Sequence, residues 1–151
     1  MRTRRKAREV ALQVLYQLDV LNIDVKEAVE LFWLNFEATQ EAREFSTLLI
    51  EGAWDNRSEI DKLISSCSEN WSLGRMSRVD KNILRMAAYE LLYCHDIPPK
   101  VTLNEAIDLG KTYGSENSGA FINGILDAIY EKIKINNPHP DSNETMNKDS
   151  L

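Results

Sequence analysis

The chain predicts an all-α fold, and three observations carry the prediction. Apolar residues recur at three- and four-residue spacing, capping residues and Pro or Gly stops punctuate the repeats, and no period-2 run of β-branched residues exceeds a few positions. About seven helices follow. The first starts near Thr3, with Ala7, Val10, Ala11, Val14, Leu18 and Leu21 on one stripe. The second runs from about Val25 to Phe36 and buries Ala28, Val29, Phe32 and Phe36. The third runs from about Thr39 to Asn56, with Phe45, Leu48, Leu49 and Ala53 inward.

Ser58 opens a fourth helix, with Asp61 in its first turn where negative charge suits the helix dipole, and this helix fades around Asn70. A break over Trp71, Ser72, Leu73 and Gly74 precedes Ser77, which caps a fifth helix with Asp80 three residues on and Ile83, Leu84, Ala87 and Leu91 along its stripe. Pro98 and Pro99 end it, because they remove amide donors and bias Ile97 toward an extended backbone. Thr102 with Glu105 forms a capping-box pattern for the sixth, which stops at Gly114. Ser118 caps the seventh, from Gly119 to about Ile133.

The 151 residues fit one domain, here 1–135. Residues 136–151 lack apolar periodicity and are rich in Pro, Asn, Ser and Asp, so they read as a disordered tail. No segment approaches the roughly 20 apolar residues of a membrane span. The basic start superficially resembles a targeting peptide, but Gln13, Gln17 and Asp19 interrupt the apolar run and no small-residue cleavage site follows. Cys67 and Cys94 lack CxxC spacing and suit two buried thiols in a reducing cytosol, although spacing alone leaves a disulfide between them open.

Charge is the feature that bears on function. Arg2, Arg4, Arg5, Lys6 and Arg8 put five positive charges in the first eight residues, and the remainder holds 13 basic against 24 acidic side chains. Segregation of this kind points to a nucleic-acid contact, with a solvated arm as the bland alternative. On a helix, Arg5, Arg8, Leu12 and Tyr16 fall along one side, which places two guanidiniums for phosphate and a ring for an unpaired base. Five contacts to a single strand would give a salt slope of about −3.5. The acidic remainder argues for a short footprint or one shared with a basic partner.

Signals for catalysis and cofactors are weak. His95 and Cys94 supply at most two metal ligands, His139 lies in the tail, and Gly110, Gly114, Gly119 and Gly124 match no phosphate-binding loop. No cofactor, metal or catalytic constellation is expected.

The basic first helix, Arg4 to Glu9 with Ala11, Leu12, Leu15 and Tyr16, resembles that of the NusB transcription antitermination family. The likeness is strongest over Val79–Leu91, Ile97–Gly114 and Phe121–Asp127. It implies two small helical subdomains packed roughly perpendicular, the first three helices in one and the rest in the other. It also implies binding of boxA RNA in nascent transcripts, notably of ribosomal RNA operons, as a heterodimer with the ribosomal protein NusE. The complex, with NusA and NusG, would help RNA polymerase read through terminators in the cytoplasm.

By position, the resemblance implies RNA contacts at Arg4, Arg5, Arg8 and Tyr16, and a second RNA-contacting region at Lys111, Tyr113 and Asn117. It implies that Asp80 and Arg85 face NusE. Family members often carry an acid where this chain has Asn117, and a neutral amide there removes repulsion toward phosphate and adds donors. A similar helical module precedes the catalytic domain of some ribosomal RNA cytosine methyltransferases, but the strand-rich, glycine-rich cofactor domain is not expected here. The third alternative is an interaction module, with a homodimer of the free protein that would cover the RNA-binding face.

Overall fold

The computed structural model describes residues 2–68 and 72–136. Seven α-helices occur among them: α1 (Arg2–Leu21), α2 (Val25–Asn35), α3 (Gln40–Asp55), α4 (Arg57–Cys67), α5 (Arg78–Tyr93), α6 (Pro99–Tyr113) and α7 (Ser118–Asn136). A single 3-10 turn, Leu73–Arg75, precedes α5. The predicted tail lies outside the described residues apart from Asn136, as do Trp71 and His139.

Helix ends show which local rules prevailed. Asp24 and Thr39 cap α2 and α3 by accepting from the amides of Glu27 and Ala42, and Ser77 caps α5 by accepting from Asp80 N–H at 3.1 Å. Asn22 adopts φ of 50°, a left-handed conformation that Asn tolerates, and turns the chain out of α1. Two predicted starts are corrected. Helix α4 begins at Arg57, and Asn56, which donates its side-chain amide to Gly52 O at 2.8 Å, is the only residue between α3 and α4. Helix α6 begins at Pro99, where a missing N–H costs nothing, so Thr102 is an interior residue.

The helices form two groups that meet on α5. Helices α1, α2 and α3 pack together, α5, α6 and α7 pack together, and α4 lies against α5 and α7. Both α1 and α3 reach across to α5. The shared core contains Leu15, Leu18, Leu49, Ile50, Ile83, Leu84, Ile122 and Leu126, all fully buried. Each such side chain contributes roughly 1.5–3 kcal/mol of burial free energy. Leu21, Phe36 and Leu48, expected inward, are half exposed at 58%, 50% and 48%. Leu21 closes α1 and Phe36 caps α2, where neighbouring helices no longer cover the stripe.

Helix α5 is the hub because almost its whole length is buried, including the polar residues Asn82, Arg85 and Glu90. Buried charges demand partners. Those partners fix how α1, α4 and α6 sit, and they also decide which side chains stay available at the surface. Cys94, at the end of α5, is buried and free, and Cys67 is half buried and free. Burial and the charge of Glu90 push the Cys94 thiol up to about 11.

Candidate functional site

Helix α1 presents its basic turn at a corner formed with the Asp96–Pro98 segment and α6. Arg4 lies over the ring of Phe45, 4.6 Å from its centroid, and reaches Asp96 at 3.5 Å. Arg5 is exposed and points at α6. Its Nε donates to Glu105 Oε1 at 3.2 Å, and its Nη2 donates to Glu105 Oε2 and to Asp108 Oδ2, both at 2.9 Å. These contacts, Glu105 first, hold the Arg5 pKa above its ordinary value.

Arg8 departs from the expectation of a surface contact. It is only 3% exposed, and its Nε and Nη2 donate to the two carboxylate oxygens of Glu90 at 2.9 and 2.8 Å. Thr102 Oγ1 also donates to Glu90, at 3.0 Å. Burial alone would lower the Arg8 pKa, but hydrogen bonds and charge from Glu90 reverse that and raise it. Leu12 is buried as well, so the line from Arg5 to Tyr16 has exposed ends and a buried middle. A helix edge beside a core stripe goes inward wherever a neighbouring helix supplies a partner, and α5 supplies Glu90.

The second predicted region comes to α1 through one hydrogen bond. Tyr113, at the end of α6, is 48% exposed and donates its hydroxyl to Glu9 Oε2 at 3.0 Å. Partial burial and this carboxylate push its phenol upward. Lys111 and Asn117 are exposed nearby in sequence, on α6 and in the loop before α7. That loop is held by Ser118 Oγ, which accepts from Ser115 N–H at 2.9 Å. Gly110 lets α7 approach α6: a Cβ there would lie 2.7 Å from Ile122 Cδ1.

Tyr16 is 41% exposed and faces a groove of about 650 Å³ between α1 and α2. Lys6, Phe32, Phe36, Val79 and Tyr113 also line it. The rings of Phe32 and Phe36 stack at 4.2 Å, so one wall is aromatic. Asp80 follows Val79 and is 9% exposed at the first turn of α5. Its Oδ1 is buried with no hydrogen-bond partner among the described residues.

Arg85 was expected to face a partner, and here too the structure corrects the reading. It is 6% exposed and donates to both oxygens of Asp61 at 2.8 Å and to Asn82 Oδ1 at 3.2 Å. Asp19 lies 3.6 Å away. Arg85 thus ties α5 to α1 and α4 from inside. Sequence reasoning missed the carboxylates that hold the arginines of α1: Asp96, Glu105 and Asp108 on Arg4 and Arg5, and Glu90 on Arg8. Acidic residues spaced along helices look solvated in sequence, and only the α1–α5–α6 packing identifies these as partners.

The fold and this corner define a small all-helical protein with arginine and tyrosine side chains displayed near an aromatic groove. The chain belongs to the NusB family, whose family model matches residues 5–131. It is 68% identical over 133 residues to the transcription antitermination protein NusB of Syntrophus aciditrophicus (strain SB), covering 88% of this chain and 83% of that one. The corresponding protein of Pelotomaculum thermopropionicum is 50% identical over 129 residues, covering 85% and 90%.

Among solved structures, T. maritima NusB superposes with a TM-score of 0.78 at 42% identity, covering 85% of this chain and 91% of that one. A structure of the antitermination factors NusB and NusE in complex with dsRNA gives 0.75 at 33% identity, covering 87% and 98%. The family is one of transcription antitermination factors and not of enzymes. Among the described residues, no helix is long and apolar enough to cross a membrane.

Proposed function

We infer that this protein binds boxA-type RNA of nascent transcripts together with a NusE-like ribosomal protein, and that the pair acts with NusA, NusG and RNA polymerase in terminator read-through, notably in ribosomal RNA operons. The observation that carries the reading is that Tyr16 of α1 and Tyr113 of α6 line one groove, with Tyr113 bonded to Glu9, while Arg4 and Arg5 stand at the start of the same helix α1. Lys111 and Asn117, exposed on α6 and in the loop that follows it, are counted with this face. Guanidiniums hold phosphate in a fork, and exposed rings stack bases, so the combination suits an RNA strand. The solved relative in which NusB and NusE meet dsRNA supports both partners.

Arg8 enters this reading as an internal brace that sets the angle of the basic turn. Phosphate contact is left to Arg4 and Arg5. The NusE-like partner is given the groove wall of Phe32, Phe36 and Val79, with Asp80 next to Val79 in the first turn of α5, and Arg85 supports α5 from behind. A homodimer of the free protein through the RNA-binding face would occlude that site.

The test is binding of a boxA-like RNA, measured at two salt concentrations with and without the NusE-like partner. The partner is expected to tighten binding, and Arg5→Ala to weaken it and to flatten the salt slope by about 0.7. Equal binding of scrambled RNA, with no effect of the partner, would remove the antitermination content of the reading.

A further inference from the structure

The basic corner is not a bare cationic patch. Arg5 holds two carboxylates, Glu105 on one side and Asp108 on the other, so the three side chains together carry one negative charge. The geometry is that of an anion already seated. Both oxygens of Glu105 take the Nε and Nη2 donors, the fork that a phosphate would occupy, and Asp108 takes Nη2 again. Arg5 and Asp108 remain at the surface, with 52% and 51% of their side chains exposed, whereas the Glu105 side chain is 20% exposed and its Oε1 also lies 3.8 Å from Arg8 Nη1.

The contrast with Arg8 is informative. Arg8 and Glu90 are 4% and 1% exposed as side chains, and that pair is a fixed part of the core. The Arg5–Asp108 pair is solvated and the Arg5–Glu105 pair is open to water from the Arg5 side, and pairs so accessible are individually weak, so an incoming polyanion can displace them. A strand that offers only phosphate meets, at Arg5, a cluster of net negative charge. A strand that also engages neighbouring side chains or the partner protein has other favourable contacts with which to offset the exchange.

We propose that Glu105 and Asp108 compete with RNA phosphate for the Arg5 guanidinium and so set the affinity threshold of the RNA-binding face. The proposal rests on the RNA-binding reading above and adds two carboxylate residues to it. Removing their charge frees the Arg5 fork for any phosphate, so the largest relative gain falls on strands with no other means of recognition. The physical logic is repulsion built against the wrong ligand.

The experiment is a double-mutant cycle on the full chain, with oligouridylate as the probe and filter binding at two salt concentrations. Four proteins are compared: the unsubstituted chain, E105Q/D108N, R5A, and the triple variant. With Arg5 present, E105Q/D108N is expected to raise affinity roughly threefold to tenfold, the range that two weak ion pairs open to water on the Arg5 side support. It is also expected to steepen the salt slope by about 0.7, one added phosphate contact.

In the R5A background most of that gain should vanish. An equal gain in both backgrounds would show that the two carboxylates act only through the general field, and would overturn the competition. If R5A leaves binding of the boxA-like RNA unchanged in the otherwise unsubstituted chain, the RNA-binding reading fails at Arg5 and the competition fails with it. If R5A weakens boxA binding while E105Q/D108N changes nothing on oligouridylate, only the competition is lost. Asp108→Asn alone, at a site that does not touch Arg8, keeps the test valid if Glu105→Gln disturbs folding.

Discussion

Arg8 and Arg5 are three residues apart on one helix and have opposite fates. Arg5 stays solvated between two surface carboxylates, and Arg8 is buried in a bidentate pair with Glu90. Truncating one partner of a buried ion pair leaves the other charge uncompensated, which costs about 3–5 kcal/mol. Arg8→Ala is therefore expected to lose stability of that order in urea denaturation, and Arg5→Ala to leave the urea midpoint nearly unchanged. Replacing Arg8 and Glu90 together by Met and Leu should recover most of the loss, since two apolar groups of similar size leave no orphan charge. If Arg8→Ala were as stable as the unsubstituted chain, the pair would not be the brace described here.

At the scale of elements, the contact between α3 and α5 depends on one small residue. A Cβ built at Gly52 would fall on the ring of Tyr89, which also packs against Tyr93 with ring centroids 5.1 Å apart. Gly52→Ala would gain about 1 kcal/mol of helix propensity and lose about 1–3 kcal/mol to overpacking. The second effect wins because the ring is rigid and held from its other side. A lower urea midpoint is expected, and a higher one would mean that Tyr89 swings aside at little cost. The apolar stripes of α1, α3 and α5 were legible in the sequence because burial imposes their 3.6-residue period. Thr102 was misread as a cap because its local pattern with Glu105 is the same whether Thr102 opens a helix or donates to Glu90 across to α5.

Over the whole molecule, one polar network binds the two helical groups. Asp19 of α1 meets Lys81 at 3.1 Å, accepts from Asn82 Nδ2 at 3.2 Å and lies 3.6 Å from Arg85, which in turn holds Asp61 of α4. Burial alone would raise the Asp19 pKa, but hydrogen bonds from Lys81 and Asn82, with the charges of Lys81 and Arg85, bring it below the usual carboxylate value of 3.8. A carboxylate depressed by folding contributes stability that is fully present above its unfolded pKa and is lost as pH falls through its folded pKa. The Tm advantage of the native chain over Asp19→Asn should therefore be full at neutral pH and shrink as pH falls below 4. A gap that stays constant across this range would show that Asp19 acts through shape and not through charge.

The amino-acid sequence by itself determined the helical class, the approximate helix count, the inward stripes and the segregation of positive charge, because each is written in local spacing and composition. The family resemblance, carried by Val79–Leu91, Ile97–Gly114 and Phe121–Asp127, agrees with the match over residues 5–131. Tertiary structure decided the state of each charge. It turned Arg8 and Arg85 into internal braces, brought Tyr113 to Glu9, and set Glu105 and Asp108 on Arg5. Those partners lie up to 104 residues apart along the chain. Charge pairing depends on distance and burial in three dimensions, and neither can be read from residues so widely separated in sequence.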